Sequence, residues 1–131
     1  MTLATAYWCI LVAALLPYAL AIVAKTSAPG FNNRNPRAWL AKQDSYRVQR
    51  ANAAHLTAFE AFAPFAAGVL MAQLAGVDHA RIALLALVFI AMRIAHAVFY
   101  VADVQLARSL SWLGGFACVL ALVASAAIKV A

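Results

Sequence analysis

Long apolar stretches alternate with polar ones along this chain. The first stretch, roughly Leu3 to Ala24, holds no charged side chain. The others run from about Ala51 to Ala75, Ala80 to Ala102 and Leu110 to Ala131. Each has about 20 residues or more, enough at ~1.5 Å rise per helical residue to cross ~30 Å of hydrocarbon. In lipid, a lone segment satisfies its own backbone polar groups only as a helix. The pattern therefore predicts an all-α membrane protein, a four-transmembrane-helix bundle occupying 1–131 as one domain. The links Gly76-Val77-Asp78 and Asp103 to Ser109 are short, so the last three helices are antiparallel neighbours. Residues 25–50 form a basic loop with turn chemistry at Pro29-Gly30, Asn32-Asn33 and Asn35-Pro36. Its later part, from about Arg37, suits a helical extension of the second span.

Composition agrees with this pattern. Of 131 residues, 67% are hydrophobic and 11% charged, and the mean hydropathy is +0.88. A soluble domain this small has too little interior for so much apolar side chain. The net charge of +6 follows topology better than it follows nucleic acid. Lys25, Arg34, Arg37, Lys42, Arg47, Arg50 and Arg108 fall on one side, against Arg81 and Lys129 on the other, seven to two. The positive-inside rule places the basic loop in the cytoplasm and both termini outside. Ala19-Leu20-Ala21 loosely resembles a cleavage site, but no Lys or Arg precedes the first stretch, which reads as a retained helix. Cys9 and Cys118 lie in apolar stretches and read as small buried hydrophobes. No spacing suits a metal, and no Ser-His-Asp set or Gly-rich phosphate loop occurs.

Two charges lie deep in the spans. Insertion of each costs roughly 2.5–3.5 kcal/mol, so such residues pair or face a wet cavity. Glu60 follows Arg50 by about ten residues and Arg93 precedes Asp103 by about ten, which puts both roughly 15 Å from the basic edge. Matched depth and opposite sign predict a Glu60–Arg93 ion pair, within or between chains. Arg50, Ala53, Thr57, Glu60 and Pro64 follow one helical stripe, and so do Arg93, His96, Tyr100 and Asp103. Together the stripes predict a polar funnel open to the basic side. Its cations and hydroxyl donors suit an anionic, flexible ligand, and an arginine near a thiol favours the thiolate. Glu60 and Arg93 also fit a purely structural clamp. His55 suits a bond to a backbone or carboxylate oxygen, and His79 suits a solvated turn. Trp39, Tyr46 and Trp112 suit interfacial anchors, and Ala117, Ala121 and Ser125 suit close helix packing.

Three segments in order resemble the MAPEG family, the membrane-associated proteins in eicosanoid and glutathione metabolism. Asn32-Asn33-Arg34-Asn35-Pro36-Arg37 is similar to the Asn-x-x-x-Pro-Arg loop of a bacterial branch. Arg50-Ala51-Asn52-Ala53-Ala54-His55-Leu56-Thr57-Ala58-Phe59-Glu60 is similar to the Arg-Ala-x-x-Ala-His-x-Asn-x-x-Glu stretch. Arg93-Ile94-Ala95-His96-Ala97-Val98-Phe99-Tyr100, with Arg108-Ser109 beyond, is similar to the Arg-x-x-His-x-x-x-Tyr stretch and its Arg-Ser pair.

The resemblance implies a homotrimer in the bacterial inner membrane, with glutathione bound between subunits in the cytoplasmic half. It maps Arg50, Glu60, Arg93, His96 and Tyr100 onto glutathione-pocket or supporting positions, and Arg108, with Ser109, onto thiol activation. The implied activity is glutathione transfer to a lipophilic small molecule or reduction of a lipid hydroperoxide. The chain departs from the family where Thr57 replaces Asn, where Ala53 and Leu56 stand at positions often held by Arg, and where Pro64 is displaced by one residue. A non-catalytic lipid- or ligand-binding protein on the same scaffold therefore stays open as an alternative. A proton-coupled exporter built on Glu60 is a further one, opposed by a cation at the same depth.

Overall fold

The computed structural model describes residues 1–131. Its elements are α1 (Leu3–Thr26), α2 (Pro36–Ala41), α3 (Tyr46–Leu74), α4 (His79–Val101) and α5 (Gln105–Val130). α1, α3, α4 and α5 are each long and apolar enough to cross a membrane. The chain is an all-α membrane protein with four spanning helices. The basic loop departs from expectation in one respect. Pro36 opens a separate short helix at its first turn, where a missing N–H costs nothing, and α3 then starts at Tyr46, before the apolar run begins.

Local chemistry sets the boundaries. The Ser45 side chain accepts from Val48 N at 3.4 Å and caps α3. Asp78 does the same for α4, accepting from Arg81 N at 3.1 Å. α3 and α4 end alike. After α3, Gly76 takes φ 81° and Val77 N donates to Ala72 O at 3.0 Å. After α4, Asp103 takes φ 61° and Val104 N donates to Phe99 O at 2.9 Å. Both are Schellman ends, and the second places an aspartate where glycine is the easier residue.

α3 and α4 form the central pair, with α1 and α5 each packed on both. Phe65 of α3 stacks on Phe89 of α4, centroids 3.9 Å apart and planes 9° off parallel. Small residues let the backbones close: Ala6, Ala54, Ala72 and Ala86 are all buried. A Cβ on Gly114 would stand 2.8 Å from Met92 Sδ, and one on Gly68 would stand 3.3 Å from Leu122 Cβ. The buried face of α5 carries Gly115, Cys118, Val119, Leu122 and Ala126. Ala117 is exposed, so the expected Ala117, Ala121 and Ser125 stripe is not the packing face within this chain. Cys9 and Cys118 are free and buried. Large apolar side chains such as Leu15, Ile22 and Leu120 cover the outside, as lipid contact requires.

α1 and α3 are also joined by polar contacts. The Tyr7 hydroxyl donates to Gln73 Oε1 near one end of the bundle. His55 Nδ1 lies 2.6 Å from Pro17 O. A carbonyl only accepts, so Nδ1 carries the proton. His55 therefore has the backbone partner expected of it.

Candidate functional site

A cleft opens between α3, α4 and α5. Its inner part, about 160 Å³, is walled by Pro64, Phe89, Phe116 and Val119, with Glu60 and Arg93 beside them. Its outer part, about 550 Å³, is lined by His96, Tyr100, Arg108, Ser109 and Leu113. Thr57, Glu60 and Trp112 line both parts, so the two are one continuous groove. The groove runs from an aromatic inner end to a polar outer end at the start of α5, the basic side of the bundle.

Each wall is a helical stripe. Thr57, Glu60 and Pro64 lie three and four residues apart on α3, and Arg93, His96 and Tyr100 do so on α4. The third wall is Ser109, Trp112, Phe116 and Val119 of α5 at the same spacing; of these, only Ser109 is an expected site position. Trp112, expected as an interfacial anchor, stacks on Phe116 at 5.1 Å and 16° and lines the groove. At Gly115 α5 runs close beside Arg93: a Cβ there would sit in ordinary van der Waals contact with Arg93 Cδ at 3.5 Å.

Within the groove, Arg93 and His96 are each only 3% exposed. Arg93 Nε and His96 Nδ1 are buried without a hydrogen-bond partner. Leaving such groups unpaired costs on the order of 1–3 kcal/mol each, more for a cation. His96 meets Tyr100 edge-on at 5.5 Å, and the Arg108 guanidinium carbon lies 4.7 Å from the Tyr100 centroid. The Thr57 hydroxyl is spent on its own helix, donating to Ala53 O at 2.9 Å.

Two expectations change. Glu60 and Arg93 share the groove, but the one ion pair within the 4.0 Å limit is Arg50–Asp103. Glu60 is exposed on the single chain whereas Arg93 is buried; both line the inner part of the groove, and the expected pair is not a direct contact within one chain. Arg50 stands outside the groove lining. Its Nε donates to Val101 O at 3.2 Å and its Nη1 lies 4.0 Å from Asp103 Oδ2. It braces the end of α4. The other six expected positions, Glu60, Arg93, His96, Tyr100, Arg108 and Ser109, line one groove.

The donor set defines what fits. Two guanidinium groups, an imidazole and a phenol surround a space with a single carboxylate. This suits a ligand that carries more than one anionic group and one cationic group. The aromatic inner end accepts an apolar part of a ligand or of a second molecule. No cluster of three or more His, Cys, Asp or Glu side chains is placed to hold a metal ion.

No curated protein and no solved structure matches the chain. The model of one family does match, over residues 5–128. With four spanning helices and a groove walled by the segments that carry the resemblance, this membrane protein belongs to the MAPEG family.

Proposed function

We propose that the chain is a glutathione-dependent transferase or peroxidase acting on lipophilic electrophiles or lipid hydroperoxides. The observation that carries this reading is one groove lined by Arg93, His96 and Arg108, in which Arg93 Nε and His96 Nδ1 have no partner within the chain. Glutathione has two carboxylates, one ammonium group and one thiol. The carboxylates match Arg93, His96 and Tyr100, and the ammonium matches Glu60. Arg108, with Ser109 beside it, is assigned to the thiol. A guanidinium near sulfur favours the thiolate, which is the nucleophile. The thiolate then attacks an electrophilic carbon and displaces its leaving group, or attacks a peroxide oxygen, releasing the lipid alcohol and leaving a glutathione sulfenic acid that a second glutathione converts to disulfide and water.

The same reading includes a homotrimer in the bacterial inner membrane, with the basic loop cytoplasmic and the termini outside. The exposure of Glu60 supports assembly. A carboxylate deep in a span and open on one chain is costly against lipid, and a neighbouring copy over the groove removes that cost.

The test is turnover of a chlorodinitrobenzene-type electrophile by the purified protein with glutathione. Activity that is lost in Arg108→Ala supports the assignment. Activity unchanged in that variant refutes the role given to Arg108.

One observation favours a second reading, ligand binding without catalysis. Thr57 spends its hydroxyl on Ala53 O, and Ala53 and Leu56 offer no cation to the groove. If calorimetry detects no glutathione binding while a lipid anion still binds, the scaffold serves as a binder.

A further inference from the structure

We propose that a second groove, between α1 and α4, is a binding site for an acidic phospholipid of the bilayer. This groove shares no lining residue with the cleft described above and encloses about 540 Å³. Leu16, Leu20 and Val23 of α1 form one wall, Ile94 and Val98 of α4 the other, and Arg47 closes the basic end. Leu20 lies buried at the floor, while Ile94 and Val98 stand 44% and 58% exposed at the rim. From Ile94 to Ala102 helix α4 advances roughly 12 Å along the membrane normal. The shape is that of an acyl-chain track ending at a cation.

Arg47 supplies the charge argument. It is exposed, and no carboxylate lies within 4.0 Å of it, the one ion pair being that of Arg50 with Asp103. It also sits in the first turn of α3, where a cation opposes the helix dipole. Its position there therefore does not serve its own helix. A lipid phosphate at the mouth of the groove would meet the guanidinium while the chain covers the apolar walls. A headgroup with net negative charge is favoured over phosphatidylcholine, whose choline carries a compensating cation.

The test is native mass spectrometry of the full chain, released from detergent and titrated with phosphatidylglycerol or with phosphatidylcholine of the same acyl chains. The expected result is phosphatidylglycerol adducts at about fivefold lower lipid concentration, the worth of roughly one headgroup–cation contact. Arg47→Ala removes that preference, and Arg47→Lys largely keeps it. Val98→Trp, at an exposed rim position that leaves the core intact, blocks adducts of both lipids. Arg81→Ala, at the other end of the bundle, changes nothing. Equal affinity for the two lipids overturns the proposal, as does a preference that survives Arg47→Ala. It is overturned too if oleate displaces phosphatidylglycerol at equal concentration, which marks a fatty-acid site. Cross-linking of Val98→Cys to a second copy of the chain likewise overturns it, because another protomer then covers the groove.

Discussion

The guanidinium carbon of Arg108 sits 4.7 Å from the centroid of the Tyr100 ring, and that ring meets His96 edge-on at 5.5 Å. Arg108 lies in the first turn of α5, and Tyr100 and His96 lie one turn apart on α4. The contact therefore fixes the cation against the groove wall rather than leaving it free in solvent. A cation held this way would need little further ordering to meet the thiol sulfur proposed as its ligand.

Replacing Arg108 separates charge from shape. If Arg108 faces the glutathione thiol as proposed, Arg108→Ala removes that charge, and the thiol's titration midpoint rises by about one to two pH units. Ultraviolet thiolate absorbance against pH checks this. Arg108→Lys keeps the charge but loses the planar stack on Tyr100, so an intermediate midpoint is expected. An unchanged midpoint in both variants removes the thiol role from Arg108.

Arg50 is expected to behave differently from the groove residues. Its bond to Val101 O and its distance from Asp103 mark it as a brace. Arg50→Ala should lower stability by about 1 kcal/mol, seen as a reduced melting temperature in detergent. The thiolate titration should not move. A shifted titration with an unchanged melting temperature would return Arg50 to the ligand.

Asp103 tests which of two effects is larger. Its left-handed backbone, φ 61°, costs about 1 kcal/mol against glycine. Its exposed pairing with Arg50 at 4.0 Å is worth about 0–1 kcal/mol. Backbone relief outweighs the pair, so Asp103→Gly should raise stability by about 0.5 kcal/mol. A clear loss on thermal melting would show that the pair is worth more than its geometry suggests.

The close approaches of α5 differ in what they tolerate. A Cβ on Gly114 meets the flexible end of Met92, whereas one on Gly68 meets Leu122 Cβ, near the backbone. Gly114→Ala should thus be near neutral, because Met92 can turn aside and alanine favours helix. Gly68→Leu should cost about 1–3 kcal/mol through overpacking. Equal melting temperatures for the two variants would contradict this packing.

The spans and the α4 stripe were legible because Arg93, His96 and Tyr100 stand out against an apolar background at helical spacing. The α5 stripe was not legible for the opposite reason. Trp112, Phe116 and Val119 are apolar, and hydropathy does not distinguish a residue facing a groove from one facing lipid. Counting along the chain gave Glu60 and Arg93 the same depth, but depth leaves the angle about each helix axis open. The packing leaves both on the groove, with Arg93 buried and Glu60 open on the single chain. Arg50 stands apart from the groove lining on the single chain, and its partner there, Val101 O, is a backbone carbonyl that carries no residue-type signal. Asn35-Pro36 was read as a turn, though the same fixed φ that makes a turn also starts α2.

If, as proposed, the groove of α3, α4 and α5 binds glutathione, Arg93 and Arg108 hold its anionic groups. Calorimetric titration of glutathione into the purified protein, alongside Arg93→Met and Arg108→Ala variants that elute as the same oligomer, tests it most directly. Saturable binding that weakens about tenfold or more in Arg93→Met, as loss of a buried charge-assisted contact requires, is the expected result. No binding to the unsubstituted protein, or equal affinity in all three, would contradict it.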